Sequence, residues 1–154
     1  MEIADLITPE SVILGLRATS KKQVLQAISH RAASLVGLHE RAIFDVLLER
    51  EKLGTTGVGA GVAIPHGRLG GLDTLIGVFA VLEKPIDFEA IDERSVDLIF
   101  MLLAPEAAGA DHLKALARIS RLLRDEAICA KLRGSDTTEA IYAFLVGVDG
   151  ADGG

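Results

Sequence analysis

Three residues in this chain have types and surroundings suited to handling a phosphoryl group: His66, His112 and Arg50. His66 stands in "GAGVAIPHGRLGG", positions 59 to 71. Pro65 fixes φ and has no N–H for a sheet ladder, so the strand "GVAI" should stop there or lie at an edge, with the His66 side chain presented at the strand end. Gly67 can take a backbone geometry closed to other residues, which would leave room for a ligand or a partner beside the ring. A tight turn that merely contains a histidine has the same local pattern. His112 follows Asp111, the expected N-cap of a helix, so it falls in a first turn whose unpaired N–H groups and dipole favour an anion and disfavour imidazolium. There a neutral imidazole can donate one hydrogen bond while a second histidine acts as nucleophile. Arg50 falls at the next turn of a buried helical stripe, and a cation directed inward must find an anion, a carbonyl or a cleft. His30, between Ser29 and Arg31, and His39, beside Glu40, read as surface or core residues without chemistry.

Other chemistries fit less well. A zinc or iron site would need a third ligand near His66 and His112, and no "HExxH" or histidine–carboxylate spacing occurs. A phosphate loop would need a lysine and a Ser or Thr before a helix, which "GVGAGVAIPHG" lacks. Its glycines are expected to shape a loop beside the histidine. The sequence therefore points to no metal and no cofactor.

The elements that must position these residues follow from periodicity. "SVILGLRA" (11 to 18) is β-branched at its start, and Ser20 with Gln23 makes a capping-box pattern. Val24, Leu25, Ile28, Ala32 and Leu35 then recur at helical spacing. A second helix is expected from about His39 to Lys52, with Ile43, Val46 and Leu47 buried and Gly54 at its end. "TLIGVFAVL" (74 to 82) and "SVDLIFMLLAP" (95 to 105) are apolar at odd and even positions alike, as in strands covered on both faces. Asp111 should cap a helix to about Arg124, with Leu113, Leu116, Ala117, Ser120 and Leu123 on one side. A short helix near 125 to 133 and a last one from about Thr137, capped by Asp136, complete the set. The sum is an α/β chain: a three-layer α/β/α sandwich with a central mixed sheet flanked by helices. Residues 1–147 should form a single domain, with "GVDGADGG" at the end a disordered tail over 148–154.

Composition sets the outer limits. With 154 residues, 49% apolar and 4% aromatic, the chain can bury a core that should be aliphatic. Its net charge of −6 opposes sequence-blind attraction to nucleic acid or anionic lipid. No stretch approaches the roughly 20 apolar residues of a membrane span, and the acidic start "MEIADLITPE" is unlike a signal peptide. Cys129 is the one cysteine, so no intrachain disulfide is possible. The cytoplasm is the expected location.

Three stretches, "EREKLGTTGVGAGVAIPHGRL", "PIDFEAIDERSVDLIFMLLAP" and "DHLKALARISRLLRD", resemble the enzyme IIA proteins of the fructose/mannitol class of the bacterial phosphotransferase system, and most nearly its nitrogen-regulatory branch. The resemblance runs from about Ala4 to Val146. It implies a mixed-sheet α/β/α domain and a phosphocarrier in which His66 takes a phosphoryl group from the histidine of an HPr-like carrier, NPr in that branch. It also implies that His112 assists without carrying phosphate and that Arg50 is the active-site arginine. The partners it implies are the carrier and regulated proteins such as transporters or sensor kinases. The rival is a sugar-specific IIA passing phosphate to a IIB domain; the string "REKLGTTGVGAGVAIPHG" and the lack of a fused IIB, IIC or HPr domain within the chain favour regulation.

Overall fold

In the computed structural model, which describes residues 2–153 and the side chains of residues 2–147, a mixed sheet is sandwiched between helices. Two 3₁₀ turns, Ile3–Asp5 and Pro9–Ser11, lead into strand β1 (Val12–Leu16) and helices α1 (Lys21–Val36) and α2 (Glu40–Lys52). The short strands β2 (Gly57–Gly59), β3 (Val62–Ala63) and β4 (His66–Leu69) precede the long β5 (Ile76–Ile86) and β6 (Val96–Pro105). Helices α3 (Ala110–Leu123), α4 (Glu126–Arg133) and α5 (Thr138–Gly153) follow. The tail expected over 148–154 lies outside the residues described with side chains.

The six strands run β1-β5-β6-β3-β2, with β4 continuing beside β6 where β3 stops. β5 and β6 are antiparallel, whereas β1 on β5 and both β3 and β4 on β6 are parallel. The two apolar runs of the sequence are β5 and β6, and the alternation of a strand divides them cleanly. Leu98, Phe100 and Leu102 face one cluster with Ala115, Ile119, Leu132 and Ile141 of α3 to α5. Ile99, Met101 and Leu103 face the other, with Leu25 and Ile28 of α1 and Ile43 and Leu47 of α2. The core is mainly aliphatic, as 4% aromatic content requires, although Phe79 and Phe100 meet edge to face at its centre with ring centroids 5.9 Å apart.

Helix ends show where local expectation held and where it slipped. Ser20 caps α1 by accepting from the Gln23 N–H at 3.2 Å. The Gln23 side chain reaches back to Thr19 N–H at 2.7 Å, one residue earlier than a regular capping box. His39 rather than an acidic or hydroxyl residue caps α2, accepting from Arg41 N–H at 3.2 Å. α3 starts one residue before the expected cap: Gly109, at φ 59°, is the N-cap, and Asp111 lies inside the first turn. The buried side of α3 is His112, Ala115, Ile119, Leu122 and Leu123, while Leu113 is exposed. Shifting the stripe by one residue brings His112 inward, so the error in face and the position of the histidine have one cause. At α5 the Thr137 hydroxyl, not Asp136, accepts from Ala140 N–H.

Candidate active site

His66 opens β4 instead of ending β3. β3 stops at Ala63, the chain passes Ile64 and Pro65, and His66 then pairs with Leu102 of β6. Pro65 cannot donate to the ladder, but its carbonyl accepts from Leu102 N–H at 2.9 Å, so the edge is broken without being lost. Leu102 belongs to the cluster beneath α3, and its parallel partner His66 is turned to that same side of the sheet. Gly67 takes the opposite side, where a Cβ would collide with Cγ1 of Val46. The space beside Gly67 is therefore filled by α2 and not kept for a ligand, which corrects the expectation from sequence. The absent side chain lets the end of α2 lie close to β4, and Arg50 is carried by that end.

The imidazole of His66 is half-buried and fixed at both nitrogens. Nδ1 lies 2.8 Å from the Ile64 carbonyl oxygen, which can only accept, so Nδ1 carries the proton. Nε2 then holds the lone pair of the neutral ring, and Arg50 Nε–H donates to it at 3.3 Å. Burial is the main cause that holds the His66 pKa below 6.5; the Ile64 hydrogen bond opposes it, Arg50 adds to it, and Glu51 opposes it. Arg50 also donates from Nη1 to the Gly54 carbonyl at 2.8 Å, the kind of acceptor an inward cation needs.

His112 comes from the other helical layer, in the first turn of α3. It is buried, with its ring centroid 5.8 Å from that of His66 and the planes inclined at 70°. Burial again leads in lowering its pKa from 6.5, followed by His66 and by Arg68. Its Nε2 is buried and, among the described residues, has no hydrogen-bond partner. All three residues singled out from sequence thus meet at one place, drawn from the sheet, from the end of α2 and from the start of α3.

Two neighbours escaped the sequence reading. Arg68 Nε–H donates to His112 Nδ1 at 3.3 Å; its signal was the spacing of two from His66 on a strand, which puts both on one side. Glu51 is buried at 7% exposure and continues the stripe Ile43, Leu47 at spacing four. Its carboxylate accepts from Thr56 N–H at 2.8 Å and from the Thr56 hydroxyl, and it pairs with Lys21 at 3.1 Å. This network ties the end of α2 to the segment that leads into β2. The glycines of "GVGAG" lie elsewhere. They form the β2–β3 turn, beside Asp97 and Leu98 at the start of β6, whereas His66 pairs four residues further along at Leu102. That turn is held by Asp92, which accepts from Ala60 N–H at 2.9 Å, and by Arg133, which donates to Ala60 O at 3.0 Å. Among the described residues no three His, Cys, Asp or Glu side chains form a metal-holding group.

A nucleophile-competent imidazole with a guanidinium at its lone pair and a second, buried imidazole alongside is the arrangement against which known proteins can be compared. The family model for EIIA 2 of the phosphoenolpyruvate-dependent sugar phosphotransferase system matches residues 5–147. The chain belongs to that family. It is 60% identical over 145 residues to a nitrogen regulatory protein of Bradyrhizobium diazoefficiens, covering 94% of this chain and 95% of the relative. A nitrogen regulatory protein of Escherichia coli K12 is 39% identical over 152 residues, covering 97% and 93%. The crystal structure of nitrogen regulatory protein IIA-Ntr from Neisseria meningitidis superimposes with a TM-score of 0.88 at 34% identity, over 93% of this chain and 98% of that one. Membership carries a phosphotransferase role, and the mixed sheet with its five helices is the EIIA fold. No helix of this EIIA chain, among its described residues, is long and apolar enough to cross a membrane.

Proposed function

We propose that this chain is a cytoplasmic phosphocarrier of the nitrogen-regulatory phosphotransferase system. It takes a phosphoryl group from an HPr-like carrier, NPr, onto His66, and its phosphorylation state decides which regulatory target it binds. Residues 1–147 act as one EIIA domain. The observation that carries this reading is the tautomer of His66: the Ile64 carbonyl holds the proton on Nδ1 and leaves Nε2 as the nucleophile. The ring is neutral at pH 7, because burial keeps its pKa below 6.5.

In the transfer, the Nε2 lone pair forms the new N–P bond as the bond from phosphorus to the carrier histidine breaks, and that electron pair stays on the carrier ring. No proton needs to leave. The positive charge gained by the His66 ring is stabilised by the Ile64 carbonyl, which already accepts from Nδ1–H. Arg50 must give up its 3.3 Å contact with Nε2 and turn to the phosphoryl oxygens. His112 donates to them without becoming the acceptor. Positioning and charge stabilisation are enough for such a transfer, and no metal has to take part.

Phosphorylation places a phosphoryl group of about −2 at the histidine, partly offset by the positive ring, so a face that was neutral there gains about one net negative charge. A target that presents apolar or carboxylate groups there is repelled, while a carrier with basic residues around its own histidine is drawn in. The test is phosphotransfer from each candidate carrier, followed by capture of transporters and sensor kinases on the phosphorylated and unphosphorylated forms. Binding that differs between the two forms supports regulation. Equal binding of both forms, together with rapid transfer onto a IIB domain, would leave the sugar-specific relay in its place.

A further inference from the structure

Arg68 has no part in the transfer described above, and no carboxylate lies within ion-pair distance of it among the described residues. It follows His66 by two positions in β4 and is exposed, but its guanidinium turns back over α3. Nε–H donates to His112 Nδ1 at 3.3 Å, and Nη1–H donates to the Glu106 carbonyl at 3.3 Å. A guanidinium has donors only. His112 Nδ1 must therefore accept, and an accepting nitrogen carries no proton. Burial, His66 and Arg68 all disfavour the doubly protonated ring, so the one proton of His112 sits on Nε2. That N–H is buried without an acceptor among the described residues, which is costly unless something arrives to take it. The ring next to it is that of His66.

We propose that Arg68 is a positioning residue for phosphoryl transfer: by occupying Nδ1 of His112 it holds that ring in the Nε2–H tautomer, so that a buried donor is kept ready for an oxygen of the phosphoryl group on His66. The inference rests on His66 being the acceptor. Arg68 acts through His112, as the Ile64 carbonyl acts through Nδ1 of His66. The two rings are thus set in opposite tautomers by opposite kinds of partner. A carbonyl leaves the lone pair of His66 on Nε2, where only the Arg50 N–H meets it, and a guanidinium leaves the proton of His112 on Nε2. Without Arg68, Nδ1 of His112 would be opened to water as donor or acceptor, and nothing would choose between its tautomers.

The experiment uses the ¹⁵N-labelled chain as the parent protein and as Arg68→Met and Arg68→Lys. Long-range ¹H–¹⁵N correlation spectra locate the ring proton of His112, and rapid mixing with phosphorylated carrier gives the transfer rate. In the parent the proton should be on Nε2. Arg68→Met should give a mixture or the Nδ1–H form and slow transfer about tenfold, the value of one hydrogen bond to a charged group. Arg68→Lys, which can still donate to Nδ1, should restore the Nε2–H form and most of the rate. Circular dichroism checks that the fold is unchanged. An Nε2–H form that persists in Arg68→Met would overturn the proposal, and so would a rate that falls while the tautomer stays the same. The tautomer is read without phosphate, whereas a parent chain that never takes phosphate on His66 fails at the transfer step, so the two readings fail separately.

Discussion

Arginines hold down backbone at both ends of the broken β3–β4 edge, and they do it in different ways. At the β2–β3 turn, Arg133 grips Asp97 through Nε and Nη2, each at 2.9 Å, and reaches Ala60 O with the same Nη2. The hydrogen-bonded Asp97 carboxylate raises the Arg133 pKa, and the positive charge is compensated where it stands. At the histidines, Arg50 and Arg68 donate to an imidazole nitrogen and a backbone carbonyl each. Neither has a carboxylate in ion-pair distance among the described residues. Among the described residues the one buried carboxylate close by, Glu51, is taken up by Lys21 and Thr56. A guanidinium paired with a carboxylate is a clamp, whereas one resting on neutral acceptors beside an unpartnered N–H marks a place where an anion is due to arrive.

The largest difference between the two should appear in kinetics. In the proposed transfer Arg50 is a donor to the developing charge, so Arg50→Ala is expected to cost about 2.7–4 kcal/mol, a fall of about 10²- to 10³-fold in rate. Arg133→Ala should leave the transfer rate within a factor of about two and cost about 1 kcal/mol of stability, because its ion pair is partly exposed. Stopped-flow transfer from phosphorylated carrier and urea unfolding measure the two effects. Equal loss of rate in both variants would erase the distinction between clamp and anion site.

Much of this contrast could be read from the sequence. Pro65 and Gly67 around His66, the first-turn position of His112 and the inward stripe carrying Arg50 each pointed to the site before any fold was known. So did the two-sided apolar runs that became β5 and β6. What could not be read was set at a distance. Nothing in "GVGAG" says that its turn is held by Arg133, 36 residues beyond Asp97. The room expected beside Gly67 disappeared because Val46 of α2 fills it, and helix-to-strand packing is a tertiary event. The cap of α3 slipped because Gly109, at φ 59°, can turn the chain without a side-chain acceptor. Arg68 and Glu51 could have been found by carrying the strand and helix periods one step further, from His66 and Leu47.

The close approach of α2 to β4 gives the next effect. Gly67→Ala would push a methyl group against Val46 and shift the helix end that carries Arg50. A loss of about 1–3 kcal/mol is expected from overpacking. The double variant Gly67→Ala, Val46→Ala should regain much of it in urea unfolding. A Gly67→Ala protein as stable as the parent would mean that α2 has slack there, and that this glycine does not fix Arg50.

The smallest effect is in titration. Burial is the first cause of the low His66 pKa and Arg50 only a later one. Removing Arg50 should therefore raise the pKa, and NMR titration of the ring measures this directly. The sign follows from the nucleophile being the neutral ring: acceptor activity persists as pH falls past 6.5 and is lost only as it passes the folded-state pKa. A midpoint above 6.5 in the parent chain would contradict the electrostatic account of the site.

The most direct test is to find where the phosphorus goes. Chain phosphorylated by its carrier, labelled with ¹⁵N and held at alkaline pH, should show the phosphoryl group on Nε2 of His66, with the proton still on Nδ1 against the Ile64 carbonyl. A phosphoryl group on Nδ1 of His66, on His112 or on any other residue would contradict it.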